Sequence, residues 1–153
     1  GYFHGYRYVD HNGETPQFPF GFGLSYTTFS IDNLRASQTQ ASAGDVVRFS
    51  VDVRNTGSAA GAEVVQLYVS YPDSAVERAE RELKGFAKVA LEPGETQTVD
   101  INVPVNDLAY YDTTESGWAL EGLAYEMHVG TSSRDLPLST TLTVGGQRSV
   151  PVY

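Results

Sequence analysis

Residues 45–71 read DVVRFSVDVRNTGSAAGAEVVQLYVSY, and the reading of this stretch decides the fold. In its first half Val47, Phe49, Val51 and Val53 alternate with Arg48, Ser50, Asp52 and Arg54. A β-strand turns successive side chains to opposite faces, so a period of two places the apolar set on one face and the polar set in water. Val65, Leu67 and Val69 form a second apolar set, opposed by Val64, Gln66, Tyr68 and Ser70. Asn55-Thr56-Gly57 and the small residues up to Gly61 supply the turn between the runs. Two half-apolar strands joined in this way predict an antiparallel sheet whose apolar face needs a second sheet to cover it.

Moving outward, further short runs repeat the pattern. Residues 26–35 predict a first strand with Phe29 and Ile31 on one face, and residues 41–44 a turn into the central pair. Residues 83–91 alternate through Val89 and Leu91. Glu92-Pro93-Gly94-Glu95 then carries proline second and glycine third, as a type II turn requires. Residues 96–103 alternate through Val99, Ile101 and Val103 before Pro104 ends the run. Residues 108–112 predict a short aromatic strand. Residues 123–131 set Tyr125, Met127 and Val129 against Glu126 and His128, and residues 136–144 turn Leu138, Leu142 and Val144 inward. One passage, PDSAVERAERE at 72–82, is helix-like, with Glu77 and Arg81, and Arg78 and Glu82, paired at four-residue spacing. It is short for a stable helix, so one or two helical turns in a connecting loop are expected. The sum is an all-β chain: an immunoglobulin- or fibronectin type III-like antiparallel β-sandwich of seven or eight strands.

Residues 1–25, GYFHGYRYVDHNGETPQFPFGFGLS, break the rhythm. They are rich in glycine and aromatic residues and show no sustained alternation, so they read as an irregular aromatic N-terminal arm. Asp10-His11-Asn12-Gly13 reads as a turn, with Asn12-Gly13 the favoured pair for a tight hairpin. Phe18, Phe20 and Phe22 alternate with Pro19, Gly21 and Gly23 in an extended strip. Rings at this density are costly to leave in water, which predicts that the arm docks on another surface. The chain opens in mid-motif, without Met or a signal peptide, as expected of a piece of something longer.

Composition narrows the function classes. A chain of 153 residues with 41% hydrophobic and 19% charged residues is long enough, and apolar enough, for one packed core. A net charge of −9, scattered rather than blocked, argues against nucleic acid and against an anionic membrane surface as partners. There is no cysteine, which removes disulfides, zinc–thiolate sites and cysteine nucleophiles. Cysteine content leaves the compartment open, with a lean towards a secreted or periplasmic setting.

Two sets of motifs resemble one family. Gly5-Tyr6-Arg7-Tyr8 with Asp10, followed by Phe18-Pro19-Phe20-Gly21-Phe22-Gly23-Leu24-Ser25-Tyr26-Thr27, is similar to the segment by which the second catalytic domain of family 3 glycoside hydrolases, β-glucosidase type, runs into the last domain. Val53-Arg54-Asn55-Thr56-Gly57, residues 63–69, Leu83-Lys84-Gly85-Phe86, Leu91-Glu92-Pro93-Gly94-Glu95, Tyr110-Tyr111-Asp112, Trp118 and residues 129–135 resemble that family's fibronectin type III-like domain. The match runs in order over nearly the whole chain. Val9, where a second Tyr is common, and Ala79, where Pro usually precedes the Leu-Lys-Gly-Phe block, depart from it; they bear only on the shape of the 72–82 loop.

The resemblance implies that residues 1–25 are the end of a preceding α/β catalytic domain and that residues 26–153 are the sandwich. It also implies the role: a non-catalytic structural module bracing the catalytic domains of a retaining enzyme that hydrolyses terminal β-glycosidic bonds. The alternative is a stand-alone carbohydrate-binding or adhesion module. Glycoside hydrolysis normally needs two flanking carboxylates, and in this family both lie upstream. The resemblance therefore places no catalytic residue here, and no cofactor or metal. The implied partner is the catalytic body of the same parent enzyme, joined covalently or as a nicked chain, and a glycoside substrate is reached only through it.

Independent sites are weighed on their own residues. Asp107, Asp112, Glu115 and Glu121 bracket an aromatic loop with Trp118, which reads either as a sugar site or, better, as a core plug among solvated acids. His4, His11 and His128 lack metal-ligand spacing. Asp10, Asn12 and Gly13 have the look of half a calcium loop without its remaining ligands. Ser25, Ser132 and Ser133 lack a nucleophile elbow. Tyr2, Phe3, Tyr6 and Tyr8 are either seam residues or a stacking platform for glucosyl rings.

Overall fold

In the computed structural model, which describes residues 2–148, the alternating stretch becomes β3 (Val46–Asn55) and β4 (Gly61–Ser70). The two strands do not pair with each other, as a simple hairpin would. β3 lies between β1 (Phe29–Ala36) and β6 (Thr96–Pro104) in one sheet. β4 lies in the facing sheet, ordered β2 (Gln40–Ala41), β10 (Leu138–Val144), β9 (Ala124–Gly130), β4 and β5 (Glu82–Leu91). The turn at 55–61 thus crosses from one sheet to the other, and the two apolar faces cover each other.

Asn55 holds that crossing. Its buried amide donates to the carbonyls of Ala59 at 2.8 Å and Leu91 at 3.0 Å, and its Oδ1 accepts from Thr27 Oγ1 and Gly57 N. A buried amide this well bonded fixes the loop without the cost of an unmet polar group. Gly94 has φ 78° and Glu95 N donates to Glu92 O at 3.0 Å, the type II turn expected between β5 and β6.

Seven strands of seven to ten residues fill the two sheets: β1, β3, β4, β5, β6, β9 and β10. Their pairings are antiparallel, and only the two-residue β2 runs parallel to its neighbour β10. Three short strands, β7 (Tyr110–Asp112), β8 (Gly117–Leu120) and β11 (Gln147–Arg148), make a small third sheet. Between the large sheets Phe49, Val51 and Val53 meet Val65, Leu67 and Val69, with Ile101, Met127, Val129 and Leu142 completing a dry core. Each such side chain contributes about 1.5–3 kcal/mol by leaving water. Tyr125 is buried at β9, and its hydroxyl donates to Glu121 O, four residues upstream, at 2.9 Å. That bond is the tyrosine corner of immunoglobulin-like sandwiches; burial pushes the Tyr125 phenol up to about 12.

Two local expectations are corrected. Residues 72–81 form an irregular loop rather than a helical turn. Surface i,i+4 pairs are worth only about 0.3–0.5 kcal/mol, and here Arg81 and Glu77 part to reach Asp10 and His11 respectively. The helix instead lies in the arm, as α1 (Tyr6–His11). Asn12-Gly13 ends it rather than turning a hairpin: Asn12 N donates to Tyr8 O, Gly13 N donates to Asp10 O, and Gly13 takes φ 64°.

Candidate functional site

Strand β4 shows where the arm goes. Gln66 and Tyr68, expected to face water, are buried on the side of β4 away from the core. The arm lies over them as a third layer. Tyr68 Oη donates to Gln66 Oε1 at 2.7 Å, and Gln66 Nε2 donates to the carbonyls of Gly21 and Thr131 at 3.0 and 2.7 Å. Gly21 sits at φ 78°, and any side chain there would overlap the Gln66 amide. Tyr6 packs edge-on against Tyr68, is stacked by Phe20 at 4.7 Å, and accepts a hydrogen bond from Leu83 N.

Two buried carboxylates fasten this layer. Asp10, turned inward by α1, lies 2.6 Å from Arg134 Nη2 and 3.4 Å from Arg81 Nε. Arg134 also donates to Glu14 O and Arg81 to Ser133 O, while Ser133 N donates to Phe20 O. The half-calcium-loop pattern is thus a carboxylate paired with two guanidinium groups.

Glu82, at the start of β5, is the second. It accepts from Tyr2 Oη and Tyr71 Oη, each at 2.6 Å, and from Lys84 Nζ at 2.9 Å, with Arg7 and Arg78 at 3.7 and 3.8 Å. Burial by itself would raise its pKa. Lys84 and the two phenols outweigh burial and push the carboxyl down to about 2. Burial and the same carboxylate hold the Tyr71 phenol well above its ordinary value. Arg78 lies 3.7 Å from the Tyr71 ring centroid and donates to Leu108 O at 3.1 Å, so a buried guanidinium has an aromatic face, a carbonyl and carboxylates around it.

Beside Glu82 the surface opens into a groove of about 1050 Å³ between the arm, the 72–81 loop and the β7–β8 hairpin. Trp118 and Tyr111 face each other across that hairpin, with ring centroids 5.7 Å apart. Trp118 is 40% exposed, so it is not the core plug expected: among the described residues its small three-stranded sheet leaves that ring partly in solvent.

Asp107 and Asp112 line the same groove. Asp112 Oδ1 also accepts from Thr114 N at 2.8 Å, shaping the hairpin turn. Glu121 is directed elsewhere, accepting from Ser74 Oγ and Ala75 N. Glu115 sits in the hairpin turn, outside the groove lining.

Of the histidines, His11 stacks on Phe3 at 4.1 Å and lies 4.0 Å from Glu77, and His128 lies 3.5 Å from Glu126 with its pKa lowered by burial. Among the described residues no three histidine or carboxylate side chains gather as a metal site. Ser132 Oγ accepts from Asp135 N and Arg134 N in its own turn, Ser133 is buried, and Ser25 Oγ accepts from Thr27 N. Tyr2 and Tyr6 are anchored in the seam, while Tyr8 stays half exposed. Glu82, Arg78 and Arg81 are the members that sequence reasoning missed; their signal was the charge density of PDSAVERAERE, read there as helix pairing.

Two facing antiparallel sheets, a tyrosine corner and a three-plus-four arrangement of long strands define a sandwich of the fibronectin type III class. The fibronectin type III-like domain family matches residues 63–133, and the same sandwich extends upstream through β1, β2 and β3. The chain belongs to the fibronectin type III-like region of family 3 glycoside hydrolases. It is 44% identical over 144 residues to thermostable β-glucosidase B of Acetivibrio thermocellus, covering 94% of this chain and 19% of the relative. It is 48% identical over 136 residues to the β-glucosidase of Kluyveromyces marxianus, covering 88% and 16%. The solved family 3 β-glucosidase of Bifidobacterium adolescentis superposes with a TM-score of 0.89 at 37% identity, over all of this chain and 22% of that one. β-Glucosidase 3B of Thermotoga neapolitana, solved with α-D-glucose, does so at 0.86 and 38%, over 95% and 20%. The chain thus spans about a fifth of the length of the relatives it matches.

Proposed function

We propose that this chain is the structural, non-catalytic module of a family 3 β-glucosidase-like enzyme, bracing a catalytic body that hydrolyses terminal β-glycosidic bonds. Residues 1–25 belong to the run-out of that body and residues 26–153 to the sandwich. Catalytic carboxylates are supplied by the body, and the glycoside meets this chain only through it.

The arm carries this reading. Its inner side is anchored by Gln66 and Tyr68 on β4 and by the ion pairs of Asp10 and Glu82, while its outer side presents Phe18, Phe22 and Leu24, followed by Tyr26, with Leu24 91% exposed and Tyr26 fully so. Phe18 and Phe22 stack at 5.6 Å and present one apolar face. A contiguous apolar strip of this kind marks a protein interface, and the relatives carry about four-fifths of their length outside the matched region.

The test uses thermostable β-glucosidase B of A. thermocellus, truncated before the matched region and co-expressed with this chain as a separate polypeptide. Truncation is expected to abolish activity and co-expression to restore it. A truncated body with undiminished activity and unchanged Tm would overturn the reading.

A further inference from the structure

We propose that the groove beside the β7–β8 hairpin is a non-catalytic subsite for a neutral oligosaccharide of β-linked glucose. Three observations on the groove converge. Its volume, about 1050 Å³, lies just above the ~300–1,000 Å³ typical of small-molecule sites and accommodates more than one pyranose ring.

The hairpin holds Tyr111 and Trp118 half exposed, at 51% and 40%, in a T-shaped pair whose large faces the described residues cover only in part. A ligand with a flat apolar face recovers the area that the third sheet leaves wet. The groove's cations Arg7, Arg78 and Lys84 are matched by Glu77, Glu82, Asp107 and Asp112, so its charge is close to balanced. That balance disfavours nucleotides, phosphates and polyanions. With Thr113 and Thr114 beside these carboxylates, the lining offers hydroxyl donors and acceptors. A pyranose has the same two properties, an apolar C–H face and a rim of hydroxyls.

Glucose as the sugar unit rests on the proposed enzyme class; the groove itself argues only for an uncharged saccharide with flat rings. Because Trp118 is the only tryptophan, its fluorescence reports on the groove alone. The experiment titrates the full chain with cellotriose, glucose and maltotriose.

Cellotriose is expected to produce a saturable change in Trp118 emission, with glucose and maltotriose at least tenfold weaker. Tyr111→Ala is expected to weaken cellotriose at least tenfold, and Asp107→Asn, which keeps side-chain volume and so guards against misfolding, severalfold. No saturable change with cellotriose, or one that neither variant weakens, would overturn the subsite. Preference for maltotriose would overturn the β-linked assignment. Binding here is read without any catalytic body, so its failure is distinguishable from failure of the bracing role, which the co-expression assay reads separately.

Discussion

The two sides of β4 are both buried, and by different means. Facing the other sheet, Val65, Leu67 and Val69 are sealed by aliphatic side chains. On the opposite side, Gln66 and Tyr68 are sealed by an arm fastened through Asp10, Glu82 and five basic residues. The aliphatic side is non-directional, and many residue choices of similar volume fill it. The polar side depends on partner identity and geometry, since removing one member leaves another charge buried and unpaired. The core therefore supplies most of the stability, and the seam supplies the position of the arm.

Several measurements test that division. Leu67→Ala, in the dry core, should cost the most, about 3–5 kcal/mol by denaturant unfolding, because a cavity is left between the sheets. A cost below 1 kcal/mol would show that the sheets are not closely packed. Asp10→Asn should come next, at about 2–3 kcal/mol, since Arg81 and Arg134 lose their shared carboxylate. It should also free the arm: hydrogen exchange is expected to rise in residues 6–22 and not in β3 or β6.

Acid should act through the same seam. The folded-state pKa of Glu82, about 2, lies below its ordinary value of 4.5, so the unfolded chain takes up the proton first as pH falls. Its stabilisation is complete above about pH 4.5 and is lost between there and about pH 2, on the order of 3 kcal/mol. Glu82→Gln should flatten that part of the stability curve, and an unaltered slope would remove Glu82 from the account. Tyr68→Phe deletes one buried hydroxyl and should cost about 1 kcal/mol. Smallest of all, Leu24→Ser should change the stability of this chain by less than about 0.5 kcal/mol, because Leu24 packs on nothing within it.

The same contrast explains what the sequence revealed. Strands with one side on the dry core were legible, since alternation at Val47 to Val53 and at Val99 to Val103 reports a single apolar face. At β4 the alternation was equally clear, but it could not say that Gln66 and Tyr68 would be covered by residues 45 positions and more upstream. The 72–81 loop was misread for a related reason: its charges match helical spacing and Arg78 does meet Glu82, but without a helix, while Glu77 and Arg81 find their partners on the arm and the β9–β10 loop. Trp118 was assigned to the core on residue type alone, whereas among the described residues its small sheet leaves the ring 40% exposed. Interaction across three layers has no local period, which is why the seam and the groove were the least legible parts.

The arm's fastening bears on how such enzymes can be recombined. A crossover at residues 25 and 26 follows the change in sequence texture, yet it would part Tyr68 and Gln66 from Tyr6 and Gly21, and Arg81 from Asp10. The donor's sandwich would then receive a foreign arm whose charges and ring positions must match in every detail. The unit that can be exchanged between parents with its packing intact therefore begins upstream of Tyr2, on the far side of the apparent linker.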